Sequence, residues 1–309
     1  MFDAQTIKLF SNVLLIGPVI GATCAMLSVF VVLRRMALIS EGVSHAGYGG
    51  IAIAITVGAL FSSITGPIWQ EVITGIFCLI TALLIGYVTG KKRVTEDSAI
   101  GIFLVASVAF GQLLLSVIGF YLRAHHRPVP FDIESLLFGD FIAATRTDLA
   151  IVSIAMLFVF TIIGTMFHQF LYTTLDEEMA RINGVSTRLV NFLLLFMIST
   201  VTVLCVRMVG FLMITALMVI PGATAQMLSR KFGGVLIISL LIGTLGTSAA
   251  TWLMITAPFD RYSSGPIVVL LLFAIFVVVW AYRQFKPKPT ATDLPAATPP
   301  ARAPASTTP

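Results

Sequence analysis

The sequence predicts an all-α polytopic membrane protein with eight to nine transmembrane helices, and three observations carry that prediction. Of 309 residues, 58% are hydrophobic and only 11% are charged, where soluble domains carry roughly 25% charged residues. Mean hydropathy is +1.00. The apolar residues fall in stretches matching the roughly 20 residues that a helix needs to cross hydrocarbon.

In chain order, the first apolar stretch covers residues 9 to 33 and ends at Arg34 and Arg35; the second, 37 to 61, follows at once. The third, 68 to 90, ends at Lys91, and the fourth, 98 to 120, leads into an outer loop. A fifth covers 148 to 168. The sixth and seventh, 189 to 206 and 208 to 228, form one run of about forty residues broken only by Arg207 and Gly210. At about 1.5 Å per residue such a run overshoots one bilayer about twofold, so two helices with a tight turn are expected. Stretches at 234 to 256 and 265 to 284 complete nine crossings.

Charge placement supplies an orientation. Arg34 and Arg35, Lys91 to Arg93, Arg181 and Arg188, Arg230 and Lys231, and Arg283 with Lys286 and Lys288 are each separated from the next group by two crossings. The positive-inside rule puts them all in the cytoplasm, with the N-terminus outside and the C-terminus inside. Lys8, Arg123, Arg127, Arg146 and Arg261 remain outside, with Arg207 near that edge. A net charge of +5 and a pI near 9.3 therefore describe topology, and nucleic acid is not an expected partner.

The domain reading is simple: residues 1–285 form a transmembrane domain, and 286–309 a Pro, Ala and Thr-rich cytoplasmic tail. The tail has no apolar face to bury and is expected to stay disordered. Cys24, Cys78 and Cys205 lie far apart inside apolar stretches and read as small core residues. The N-terminus lacks a basic region before its first apolar stretch, so no cleaved signal is expected.

Ionisable side chains at membrane depth cost about 2.5 to 3.5 kcal/mol on insertion scales and need partners or a function. Within RRMALISEGVSHAGYGG, Glu41, His45 and Tyr48 stand at i, i+4 and i+7, on one helix face. A carboxylate and an imidazole one turn apart suit a borderline-soft divalent ion. The structural alternative makes Glu41 an ion-pair partner of the nearby arginines, with His45 hydrogen-bonded beside it. His125 and His126, with Asp132 and Glu134, lie in the outer loop, where capture of metal competes with a plain solvated loop. His168 is placed at a cytoplasmic helix end, Arg207 is expected to snorkel or pair, and Pro221–Gly222 to kink a helix. Residues 171 to 188 read as a cytoplasmic segment, with Asp176, Glu177 and Glu178 at a helix start and Gly184 at a break. Walker A, HExxH and GxSxG patterns are absent from the sequence. The chain is expected to be no enzyme; if ATP drives it, another subunit hydrolyses the ATP.

Six blocks in order resemble the permeases of metal-ion ABC importers (ABC-3 type), the zinc, manganese and iron uptake family. They are VFVVLRRMALISEGVSHAGYGGIAIAI at 29 to 55, TEDSAIGIFLVASVAFGQLLLS at 95 to 116, SLLFGDFIAAT at 135 to 145, DEEMARINGVSTRLVNFLLL at 176 to 195, VGFLMITALMVIPGATAQMLSRKFG at 209 to 233 and SSGPIVVL at 263 to 270. The resemblance covers roughly residues 9 to 285 and implies an ABC importer permease fold in a bacterial inner membrane. It also implies a homodimer or heterodimer of permeases, two cytoplasmic ABC ATPases and an extracytoplasmic metal-binding lipoprotein. The metal ion is then a substrate, with no permanently bound cofactor.

The family's D-x-x-S-H pattern falls on Glu41, Ser44 and His45, with glutamate replacing aspartate. Glu41 and His45 become the implied metal ligands, and Ser44 and Tyr48 part of the substrate path. AGYGG replaces the family's usual proline-containing sequence after the histidine, and Arg207 stands where the family is often neutral. The block from Asp176 looks like the ATPase-docking segment, with Asp176, Glu177, Ala180, Gly184 and Val185 as its residues. Competing readings are a permease for metal chelates or corrinoids, a proton- or sodium-coupled secondary transporter with Glu41 as proton carrier, and a membrane-assembly scaffold. Zinc, manganese and iron are not distinguished by nitrogen and oxygen donors alone.

Overall fold

The computed structural model describes residues 4–61, 67–90, 95–125, 146–256 and 264–285, and every element among them is helical. The order is α1 (Ala4–Leu33), α2 (Ala37–Leu60), α3 (Pro67–Gly90), α4 (Glu96–Ala124), α5 (Arg146–Thr165), α6 (Phe167–Leu175), α7 (Glu177–Ile182), α8 (Thr187–Val209), α9 (Phe211–Leu228), α10 (Phe232–Thr256) and α11 (Ser264–Phe285). Nine of these are long and apolar enough to span a bilayer; α6 and α7 are not. Residues 286–309, and the loop holding His126, Asp132 and Glu134, lie outside the described residues.

The forty-residue run splits as expected, but at Gly210 alone. Gly210 has φ +76° and serves both as the C-cap of α8 and the N-cap of α9; glycine adopts that conformation at no steric cost. Arg207 sits inside the last turn of α8, one residue position the sequence reading assigns to the turn. Its side chain lies outside the described residues. The fifth stretch also ends earlier than expected. Helix α5 stops at Thr165 and α6 restarts after Met166, so His168 belongs to the first turn of α6 and stacks edge-on with Phe167.

Helix α1 is the central strut: 78% of its apolar window is buried within the protomer, against 17% for α11. Lipid tails are as apolar as leucine, so close backbone approach and hydrogen bonds have to hold such helices together. Both are present. A Cβ at Gly21 would lie 2.4 Å from the Gly243 carbonyl oxygen, and one at Gly243 would lie 2.6 Å from the Gly21 carbonyl oxygen. The Ser239 hydroxyl donates to the Ala25 carbonyl at 2.8 Å on the same α1–α10 seam.

Against α9, Ser28 bonds the backbone on either side of Pro221. Proline lacks an N–H, and one residue later the Gly222 N–H donates to Ser28 Oγ at 2.8 Å while that hydroxyl leans on the Val219 carbonyl at 3.4 Å. Gly222 permits the approach, since a Cβ there would lie 2.6 Å from the Ser28 carbonyl oxygen.

Candidate metal-path site

Helix α2 begins directly after a sharp turn that the preceding arginines shape. The Met36 N–H donates to the Val31 carbonyl at 2.8 Å and the Arg35 N–H to the Val32 carbonyl at 3.1 Å, with Arg35 at φ +58°. This is the Schellman pattern, here with arginine where glycine is usual. Arg35 faces solvent, whereas the Arg34 Nη2 donates to Asn191 Oδ1 in the first turn of α8.

Of the structural alternative, the hydrogen bond at His45 is present and the ion pair between Glu41 and the arginines is not seen among the described residues. Neither arginine engages Glu41, and among the described residues its carboxylate makes no hydrogen bond or ion pair. Glu41 and His45 are both half-buried. His45 Nδ1 lies 3.0 Å from the Glu41 carbonyl oxygen, one turn back. A carbonyl only accepts, so Nδ1 carries the proton and Nε2 keeps its lone pair free for a Lewis acid. A hydrogen bond at one ring nitrogen that orients the other is the usual support of a metal-ligating histidine.

One aromatic ring faces the imidazole, and a second backs that ring. Phe211, the first residue of α9 and 1% exposed, lies parallel to His45 with centroids 6.5 Å apart at 20°. It meets Tyr48 edge-on at 6.0 Å. Gly47 makes room, because a Cβ there would come to 3.0 Å from the Phe211 ring.

Tyr48 is buried, and its hydroxyl donates to Gln112 Oε1 on α4 at 2.5 Å. Gly111 passes beneath the ring, where a Cβ would sit 2.7 Å from Tyr48 Cδ1. Ser44 behaves differently. It is fully buried and donates to the Ser40 carbonyl at 2.9 Å, so its hydroxyl is spent on its own helix. Phe211 and Gln112 were not singled out from the sequence. An amide in the middle of an apolar span is the signal that marks Gln112; one phenylalanine among 23 carries none.

In the segment between α6 and α8, Asp176 caps α7, its Oδ1 accepting from the Met179 N–H at 3.0 Å. Gly184, at φ +80°, ends the helix in a second Schellman turn, with Val185 N–H to Ala180 carbonyl at 3.0 Å. Glu177 pairs with Arg181 at 3.4 Å. Ala180 is buried and Val185 packs on the core, so these two support the segment from beneath. The outward apolar face consists of Leu175, Met179 and Ile182, which the sequence reading did not include.

Elsewhere, His125 caps α4, with Nδ1 2.9 Å from the Tyr121 carbonyl and its ring against Tyr121. Cys24, Cys78 and Cys205 are buried free thiols.

The nine long apolar helices among the described residues define a multi-pass membrane protein. The chain belongs to the ABC 3 transport family, whose description matches residues 6–283. It is 33% identical to the manganese transport system membrane protein MntC of Halalkalibacterium halodurans, over 85% of this chain and 83% of that one. It is 28% identical to the chelated iron transport system membrane protein YfeC of Yersinia pestis, over 82% and 80%. Among solved structures, PsaBC from Streptococcus pneumoniae in complex with Fab shares the fold, with a TM-score of 0.73 over 89% of this chain and 92% of that one at 24% identity.

Proposed function

We propose that this chain is the membrane-spanning permease subunit of an ATP-driven importer for divalent transition-metal ions, manganese, iron or zinc, in the bacterial inner membrane. The observation that carries the reading is His45, with Nδ1 held by the Glu41 carbonyl one turn back in a membrane helix, beside a Glu41 carboxylate that has no ion pair among the described residues. Imidazole and carboxylate together accept all three ions.

The ion passes as substrate. Among the described residues no three His, Cys, Asp or Glu side chains come together, so Glu41 and His45 offer two donors from one protomer. Water or a second permease copy completes the shell. Two ligands per subunit also favour release, because a complete protein cage would hold the ion too long for transport. Phe211 keeps the imidazole plane fixed while the ion exchanges its remaining ligands.

Cytoplasmic ABC ATPases supply the energy and dock on α6 and α7, where Leu175, Met179 and Ile182 offer an exposed apolar patch outside the spans. An extracytoplasmic metal-binding lipoprotein delivers the ion. The tail 286–309 is dispensable on this reading.

The test is transport by the complex. Co-produced with its ATPase and reconstituted in vesicles, the permease should accumulate Mn(II) only when ATP is supplied on the ATPase side. Uptake that persists without any ATPase would instead favour a secondary carrier.

A further inference from the structure

Gln112 is a polar side chain at a depth where lipid offers it no partner. It lies near the midpoint of the Asp97–Ala124 span of α4, whose apolar window is only 22% buried within the protomer, and the residue itself is exposed. Its Oε1 accepts from the Tyr48 hydroxyl at 2.5 Å, while its amide N–H groups have no partner among the described residues. An amide turned to hydrocarbon leaves such donors dry at a cost of several kcal/mol per group on the water-to-hydrocarbon scale. This position therefore points to water and not to acyl chains.

The exposed surface of α4 around Gln112 divides in two. Gly101, Val105, Ala109, Gln112 and Ser116 recur at i, i+4, i+8, i+11 and i+15, along one face of the helix. Ser116 donates its hydrogen to the Gln112 backbone carbonyl at 2.8 Å and keeps its acceptor lone pairs. The adjoining face carries Ile102, Leu113, Val117 and Phe120, all large and exposed, and these suit lipid. The polar face is the one joined to the ion donors: Tyr48, which holds Gln112, meets Phe211, and Phe211 lies over His45. Along α2, Tyr48 follows His45 on the side away from the Arg34–Arg35 turn.

We propose that Gln112 is a specificity-determining residue of the ion path: its amide oxygen, aimed by the Tyr48 hydroxyl, contacts the hydrated ion on its approach to His45 and Glu41 and favours Mn(II) over Zn(II). A carbonyl oxygen has two lone pairs, and the tyrosine takes one. The other meets the ion or a water bound to it. Carbonyl, carboxylate and water oxygens suit manganese, whereas imidazole suits zinc, so a neutral oxygen added to Glu41 and His45 shifts the donor set toward the harder ion. The inference rests on the permease reading above.

Two measurements on the full permease–ATPase complex in vesicles test it. In the first, Gln112→Cys and Leu113→Cys are treated with a charged, water-soluble methanethiosulfonate; Cys24, Cys78 and Cys205 are buried, so the wild type supplies the background. A thiol reacts as its thiolate, which needs water, and Gln112→Cys should label at least about tenfold faster than Leu113→Cys. The second reads the ratio of Mn(II) to Zn(II) uptake. Gln112→Leu should lower that ratio by about tenfold, the worth of one contact to a charged species, and Gln112→Glu, which keeps side-chain oxygens, should stay within about threefold of the wild type. A residue of merely structural importance would slow both ions alike. Should Gln112→Leu fail to assemble, Gln112→Met, which also lacks the oxygen, replaces it. Equal labelling at 112 and 113, or a wild-type ratio in the assembled Leu or Met variant, overturns the assignment alone. A wild type that takes up neither ion overturns the permease reading and this assignment with it.

Discussion

The Tyr48 hydroxyl donates to Gln112 Oε1 at 2.5 Å, tying α2 to α4 at membrane depth. That bond holds the ring whose edge meets Phe211, and Phe211 in turn lies over His45. Removing the hydroxyl alone should loosen the stack without emptying it. A neutral hydrogen bond contributes about 1 kcal/mol, so Tyr48→Phe should slow Mn(II) uptake by about fivefold at unchanged protein level. Tyr48→Ala, which also removes the contact with Phe211, should abolish uptake. Wild-type flux in both variants would disconnect this tyrosine from the path.

Glu41 and His45 carry the central prediction. Glu41→Ala and His45→Ala should each eliminate ATP-dependent uptake while the assembled complex keeps its normal abundance, and Glu41→Asp should retain part of the activity. Accumulation at the normal rate in both alanine variants would reduce the pair to a structural anchor.

Docking should depend on the outward face of α6 and α7 and not on Ala180. Ile182 is 79% exposed and Met179 56%, whereas Ala180 is 1% exposed. Ile182→Asp should weaken ATPase co-purification by about thirtyfold, as expected when an apolar anchor worth about 2 kcal/mol is replaced by a charge. The permease should remain inserted. Undiminished co-purification of a Met179→Asp, Ile182→Asp double variant would place the docking surface elsewhere.

The α1–α10 seam should tolerate no added methyl group. Gly21→Ala places a carbon 2.4 Å from the Gly243 carbonyl oxygen, which belongs to the backbone, as well as 2.3 Å from Thr247 Oγ1. A cost of about 1 to 3 kcal/mol is expected for such overpacking, visible as a lower melting temperature in detergent. Gly101→Ala is the control, because a Cβ there meets nothing within 4 Å. Equal stability of the two variants would show that the seam gives way easily.

The sequence made the nine spans legible because lipid imposes a length and an apolarity that survive without any knowledge of packing. It also marked Gly184 and a break at Arg207 and Gly210, of which the two glycines take a positive φ while Arg207 stays helical. Helix α6 escaped: residues 167–175 are short and mixed, and only tertiary contact reveals that Phe170 and Thr173 are its buried side. Ser44 shows the converse limit. Its place in the acid–serine–histidine pattern says nothing of where its proton goes, and the helix backbone takes it. The Arg34–Asn191 bond joins positions 157 residues apart, and no local pattern announces such a pair.

The splint between Ser28 and Gly222 constrains the history of this chain as well as its shape. A hydroxyl from α1 meets the N–H that follows Pro221 in α9, and the close approach leaves no room for a Cβ at Gly222. A change at either position alone opens a cavity, strands a donor or forces two backbones apart. Descendants of this sequence can therefore leave the serine, proline and glycine combination only by altering two helices nearly 200 residues apart in concert, so positions 28 and 222 should drift as one unit.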